Sequence, residues 1–363
     1  MIVLVRDDSA ELLSHLRGIR DAGEVPLVGD SRWSPAQWSA VAATVKEADV
    51  PGEAAWASLT SGSSGRPRIV LRSAASWADS FDTVADLLEA GPGDLVALPA
   101  PAAASLTLFS LAHALAGGPL PVLGLPIGSS ATSMHGTPQA LRKVLDEGPP
   151  RSLRTALIGG SHLDPVLRER AEAAGIRVAA YYGAAELSFV ALDQGGGLRA
   201  FPGVDLDVRE GTLWVRSPFV ASGYIGAPGP LREEGGWATV GDRSELVDGR
   251  VRLLGRADDA ILSASATIVP EEVEVALRRI PGVHDAIVFG LPRAPVGALV
   301  AALLEFEGDT PLDLRSNVDS QLSGTYRPRQ WFSGAIPRTA SGKPARAEAV
   351  RQVLAGKVRR LAI

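Results

Sequence analysis

The sequence predicts an α/β protein: a large N-terminal domain with a doubly wound, mostly parallel sheet and a small antiparallel β subdomain, then a small α+β C-terminal domain. Three observations carry this. Between residues 53 and 183, short apolar runs alternate with helical stretches of about 10–15 residues, as in parallel strands joined by crossover helices. Near residue 195 the pattern changes to short strands separated by Gly-rich turns, as in antiparallel sheets. Beyond residue 255 helices and strands mix again in a unit of about 100 residues.

In order, residues 1–50 predict a short strand, helices over 9–22 and 35–48, and a loop. EAAWASL (53–59) is a strand, TSGSSGRPR (60–68) a loop, and IVLRS (69–73) turns apolar again. A helical pattern over 74–90 stops at Gly91-Pro92-Gly93. LVALPAP (95–101), helix 105–116, strand 120–125 and helix 137–147 follow. RTALIGG (154–160) is a strand ending in a Gly pair, followed by helix 164–174 and strand 176–183. LRAFPG, VDLDVREG, TLWVRSP, WATVGD, SELVDG and RVRLLG make the antiparallel part. The last part is expected to hold helix 270–279, strands 286–290 and 298–306, and helices 311–322 and 345–355.

Residues 95–141 contain no Asp, Glu, Lys or Arg. Pro99, Pro101, Pro119, Pro121 and Pro126 cut this stretch into pieces too short to span a bilayer, so it predicts a buried helix and a buried parallel strand. The N-terminal apolar run is interrupted at once by Arg6, Asp7 and Asp8, so no secretory signal is read and a cytoplasmic location is expected.

A chain of 363 residues buries a core without staples, and it has no cysteine. That excludes disulfides, thiolate zinc sites, iron–sulfur clusters and a cysteine nucleophile; any thiol chemistry must use a substrate thiol. A net charge of -5 with no basic block excludes a nucleic-acid binder as an expectation. None of the five histidines sits in a hydrolase triad or zinc motif.

The loop 60–68 is not a Walker loop, yet its composition suits an anion. Gly62 and Gly65 let backbone N–H groups converge. Thr60, Ser61, Ser63 and Ser64 add hydroxyl donors, and Arg66 and Arg68 add charge. LIGGS (157–161) and YYGAAE (181–186) both end apolar strands, where nucleotides bind in open α/β sheets. Gly159 and Gly160 suit a flat ring against backbone, with Tyr182 stacking on its other face. Glu186 offers oxygen to a hard cation. Asp242, in TVGDRSEL, accepts two hydroxyls well, and Arg256, in GRADDAI, offers forked donors.

Taken with IPRTASGKPAR (336–346), these segments resemble, in order and spacing, the motifs of the adenylate-forming enzymes: acyl- and aryl-CoA synthetases, luciferases and peptide-synthetase adenylation domains. The family's motifs read TSGTTGxPK, YGxTE, TGD, GRxDD and PRTxSGKxxR, and LWVRSPFVASGY (213–224) resembles its GEL-VRGP-GY segment. The resemblance covers residues 53–350 and implies ATP, Mg²⁺ and CoA as reactants, with an acyl-adenylate between two half-reactions. It implies that Thr60 to Gly65, Arg68, Gly159, Gly160, Ser161, Tyr182, Gly183, Ala185, Asp242 and Arg256 contact the nucleotide. It further implies Glu186 as the Mg²⁺ carboxylate, Lys343 as the catalytic lysine, and Ala102 and Ala184 as lining of the acyl pocket. Asp258 becomes a hinge, dividing a domain of residues 1–257 from a mobile one of 258–363.

Four positions depart from the family. Arg68 replaces a Lys and keeps the charge; Ala185 replaces a Thr whose hydroxyl serves the α-phosphate; Ser265 replaces a Gly on the thiol side; Ala102 replaces a larger pocket residue. The phosphate loop begins at Thr60, so most of a leading subdomain carried by many relatives is expected to be missing. The expected function is an AMP-forming acyl-CoA synthetase for a fatty or related acid. An o-succinylbenzoate-CoA ligase, an enzyme that loads a carrier protein, and a degenerate nucleotide-binding protein remain open, as does assembly into a homodimer.

Overall fold

The computed structural model describes the chain except residues 7–10, 61–67, 129, 257–260, 264–265, 269, 294–296, 307, 309–313, 323–325, 340–343 and 362–363. The N-terminal part contains two mixed sheets where the sequence suggests one. The first has five strands in the order Ile2–Arg6, Val25–Gly29, Ala54–Thr60, Arg68–Ser73, Gly223–Gly226. Its first three run parallel, and the last two alternate in direction. The second has seven, in the order Arg199–Ala200, Ser188–Asp193, Arg177–Ala184, Thr155–Ile158, Ser133–Gly136, Leu95–Leu98, Leu120–Leu123. From Arg177–Ala184 to Leu120–Leu123 the strands are parallel; the other two turn back antiparallel. A third, antiparallel sheet occupies residues 205–256, and a fourth, with helices Pro270–Arg278, Leu314–Gln321 and Arg346–Leu354, makes up the C-terminal part.

Several helices start where the sequence supplies a cap followed by proline. Ser34, Thr137 and Asp164 each accept a backbone N–H from the first turn, and Pro35, Pro138 and Pro165 follow them. Proline there loses no hydrogen bond and presets φ. The stretch predicted as one helix over 74–90 is two, Ala75–Ala78 and Phe81–Leu88. The Ser80 hydroxyl donates to the Trp77 carbonyl at the break, and Trp77 and Phe81 then both meet Phe109 edge-on.

The largest core combines residues of both mixed sheets with helix Ser105–Leu115. Its centre is aromatic: Phe109 meets Phe189 at 4.9 Å, and Phe189 stacks on Phe201 at 5.0 Å. That helix is buried along most of its length, as expected, whereas strand Leu120–Leu123, expected to be buried, is the sheet's edge strand and leaves Leu120 and Leu123 exposed. Among the described residues no helix is long and apolar enough to cross a membrane.

Candidate active site

The ends of the Ser/Gly loop 60–68 are set by strand pairing. Thr60 and Arg68 face each other in the antiparallel ladder, and Arg68 also faces Gly226 on its other side. Thr60 Oγ1 and Arg68 Nε are buried yet have no hydrogen-bond partner among the described residues. A buried polar atom left without a partner costs free energy, so these two, next to the loop 61–67, call for partners from beyond the described residues. Ser61, Gly62, Ser63, Ser64, Gly65, Asp258 and Lys343 lie outside the described residues. For Arg256 the backbone alone is described; it stands opposite Asp242 in the strand register.

The YYGAAE segment ends strand Arg177–Ala184 and turns at Ala185 and Glu186 into antiparallel strand Ser188–Asp193. Gly183 is required by that turn: a Cβ there would lie 2.0 Å from the Ser188 carbonyl oxygen. Glu186 is buried, 6% exposed. Its Oε1 accepts the Tyr224 hydroxyl at 2.9 Å, and that hydroxyl accepts the Leu231 N–H at 3.0 Å. Burial and the Glu186 charge push the Tyr224 phenol well above its usual value, while the Arg68 cation pulls it back. Arg68, Tyr224 and Glu186 therefore share one electrostatic neighbourhood, joining the edge of the Ser/Gly loop to the carboxylate.

Behind this turn lies Arg72, 1% exposed. Its Nε and Nη2 donate to the Ala185 carbonyl at 3.1 and 2.6 Å, and its Nη1 donates to the Phe219 carbonyl at 2.7 Å. Burial brings its pKa down to about 9, the Glu186 charge acting in the opposite sense. Arg72 lies in none of the motifs, whereas Tyr224 closes the segment LWVRSPFVASGY, to which the sequence assigns no role. Arg72 does leave one signal, a lone cation in the otherwise apolar run IVLRS.

The remaining motif residues meet on the other side of the turn. Tyr182 donates its hydroxyl to Asp242 Oδ2, joining residues 60 positions apart. Gly159 ends strand Thr155–Ile158 and is followed by Gly160 with φ +89 and by exposed Ser161. The space a Cβ of Gly159 would fill is taken by the Tyr181 ring, whose Cζ would be 2.1 Å away. Tyr181 is held in turn: its hydroxyl bonds His135 Nε2 at 3.0 Å, and His135 Nδ1 bonds the Ser110 hydroxyl at 2.8 Å. Burial, and then the nearby His113, lower the His135 pKa to about 3, so this ring is neutral. Ala102 and Ala184 are half-buried against the same core as Tyr181 and Tyr182.

Among the described residues no cluster of three or more acidic or histidine side chains forms a metal cage. Glu186, with one oxygen engaged by Tyr224, is the donor set that remains. It fits Mg²⁺, which commonly takes one or two carboxylates and completes its octahedron with phosphate oxygens and water.

Two family models match the chain: AMP-binding enzyme over residues 2–225 and AMP-binding enzyme C-terminal domain over residues 272–343. A probable 2-succinylbenzoate–CoA ligase of Mycobacterium tuberculosis is 31% identical over 332 residues, covering 81% of this chain and 83% of its own. The 2-succinylbenzoate–CoA ligase of Salmonella typhimurium is 28% identical, covering 76% of this chain and 63% of its own, so the match spans under two thirds of that relative. Among solved structures, a variant of E. coli MenE with bound OSB-AMS superposes with a TM-score of 0.83 at 21% identity, covering 97% of this chain and 87% of the other. At that identity the likeness speaks for the fold.

Proposed function

Because the chain belongs to the AMP-binding enzyme family, we propose that it is an AMP-forming acid–thiol ligase. The carrying observation is the pair of buried, unpartnered donors Thr60 Oγ1 and Arg68 Nε at the two ends of the Ser/Gly loop, beside the Tyr224–Glu186 pair. Donors and a carboxylate in one place suit a polyphosphate with its cation.

In the first step a carboxylate oxygen of the acid attacks the α-phosphorus of ATP. The bond to the bridging oxygen breaks, pyrophosphate leaves, and an acyl-adenylate remains. Thr60, Arg68 and the loop between them hold the outer phosphates. Tyr182 and Asp242 hold adenine and ribose, and Arg256 assists. Their mutual hydrogen bond holds the Asp242 carboxylate against the tyrosine hydroxyl. Glu186 would hold Mg²⁺, which when bound neutralises charge on the phosphates. Lys343, a compact ammonium, bridges the entering carboxylate and the α-phosphate as charge accumulates. In the second step a thiol sulfur, that of CoA, attacks the acyl carbon and AMP leaves. The boundary at Asp258 would let residues 258–363 turn between the steps relative to residues 1–257. Ala102 and Ala184 border the acyl group.

The names of the two curated relatives favour 2-succinylbenzoate as one acid to try beside fatty acids. ATP–pyrophosphate exchange across a panel of carboxylic acids, followed by the same panel with CoA, tests the proposal. Exchange with one acid class and CoA-dependent release of AMP are expected. No exchange with any acid refutes the ligase reading, and exchange without CoA consumption redirects it to a carrier-protein thiol.

A further inference from the structure

The chain lacks a hydroxyl at position 185, the residue before the buried carboxylate, and a hydroxyl there would be a donor to a phosphate next to it. The same position carries an unusual backbone restraint. Two nitrogens of the fully buried Arg72 grip the Ala185 carbonyl, and a third holds the Phe219 carbonyl on the segment across from it. The Glu186 carbonyl, one residue on, accepts the Ala221 N–H at 2.7 Å. The Ala185–Glu186 peptide is thus fixed from behind by two elements. In a trans peptide the N–H points opposite to the preceding C=O. With the Ala185 carbonyl turned to Arg72, the Glu186 N–H faces the opposite way, and no backbone carbonyl among the described residues accepts it.

We propose that Arg72 is a positioning residue that aims the Glu186 backbone N–H at the α-phosphate, supplying the donor that Ala185 lacks. The inference rests on the nucleotide-binding reading above. Burial of an arginine is costly unless its donors are used, and here the fork is spent on two carbonyl oxygens of the turn and its neighbour rather than on a carboxylate. Arg72 itself touches no substrate. It acts through the peptide plane, so its removal is felt by ligands that have a phosphate at this point and not by those that lack one.

Equilibrium binding of AMP and of adenosine, measured by calorimetry on the full chain, isolates the effect. Arg72→Lys keeps the charge but loses the fork. It is expected to weaken AMP by about ten- to a hundredfold, the range for one hydrogen bond to a charged group, with adenosine unchanged. Unchanged adenosine binding also certifies that the variant is folded. Adding Ala185→Thr restores a donor by another route and is expected to return AMP affinity to the Arg72→Lys protein. If Arg72→Lys binds AMP as tightly as the parent, or weakens both ligands equally, the assignment of Arg72 is overturned while the nucleotide site stands. If the parent binds neither ligand, the nucleotide reading falls and this inference falls with it.

Discussion

Acidification is expected to weaken the N-terminal part of the protein through His135. The ring is completely buried, with both nitrogens engaged by Ser110 and Tyr181. Burial holds its pKa at about 3, against an ordinary value of 6.5. The folded protein therefore keeps this ring neutral while the unfolded chain takes up a proton as the pH falls below 6.5. Proton uptake by the unfolded state alone lowers stability, and the loss grows from pH 6.5 down to about pH 3. At about 1.4 kcal/mol per pH unit past the ordinary value, moving from pH 7.5 to pH 5 removes about 2 kcal/mol. Urea unfolding followed by tryptophan fluorescence reads this directly, because Trp56 and Trp77 lie together in the same aromatic core. The parent is compared with His135→Gln, which keeps a donor and an acceptor but cannot titrate. The variant is less stable at pH 7.5, yet its further loss at pH 5 is expected to be about 2 kcal/mol smaller than the parent's. His113 and His162, also lowered by burial, are present in both proteins and cancel. Equal losses on acidification in parent and variant would refute the reasoning.

Three further outcomes are expected. Gly159→Ala drives a methyl into the pinned Tyr181 ring and lowers stability by about 1–3 kcal/mol, whereas Gly52→Ala, with open space around it, leaves the urea midpoint where it was. Tyr224→Phe strips a hydrogen bond from Glu186 Oε1 and from the Leu231 N–H; about 1–3 kcal/mol of stability is lost, and more Mg²⁺ is needed for half-maximal pyrophosphate exchange. Lys343→Ala abolishes exchange but leaves thioester formation from supplied acyl-adenylate largely intact, a split that stopped-flow and single-turnover assays separate; survival of both half-reactions removes Lys343 from the first step.

Where local signals and global architecture agree, the chain is easy to read. The apolar runs ending at Ile158 and Tyr182 are strands, and the helix caps before Pro35, Pro138 and Pro165 lie where cap and proline stand together. Strands Val25–Gly29 and Ser133–Gly136 went unpredicted for opposite reasons. The first mixes Pro26 and Gly29 into a run of five residues, and the second, SMHG, has no apolar pattern at all. Its burial comes from neighbours on both sides in the parallel sheet, a tertiary cause that leaves no periodicity. The site shows the same division. The motifs point to Glu186, Tyr182 and Asp242 and contain Tyr224 without giving it a role, but they miss Arg72, whose hydrogen bonds to Ala185 and Phe219 join positions 113 and 147 apart in the chain. Gly159 reads in the sequence as clearance for a ligand ring, and in the fold the space of its missing Cβ is taken by Tyr181.

The pairing of Thr60 with Arg68 has a consequence for how such a chain can change over time. Because the ladder fixes the two ends of the loop, the segment between them is a cassette on a rigid socket. Residues within it can be exchanged without changing the pairing of Thr60 with Arg68. Variation in the loop's sequence is thereby separated from the stability of the sheet, and a library spanning residues 61–67 gives an engineer access to the proposed phosphate contacts without disturbing the strands.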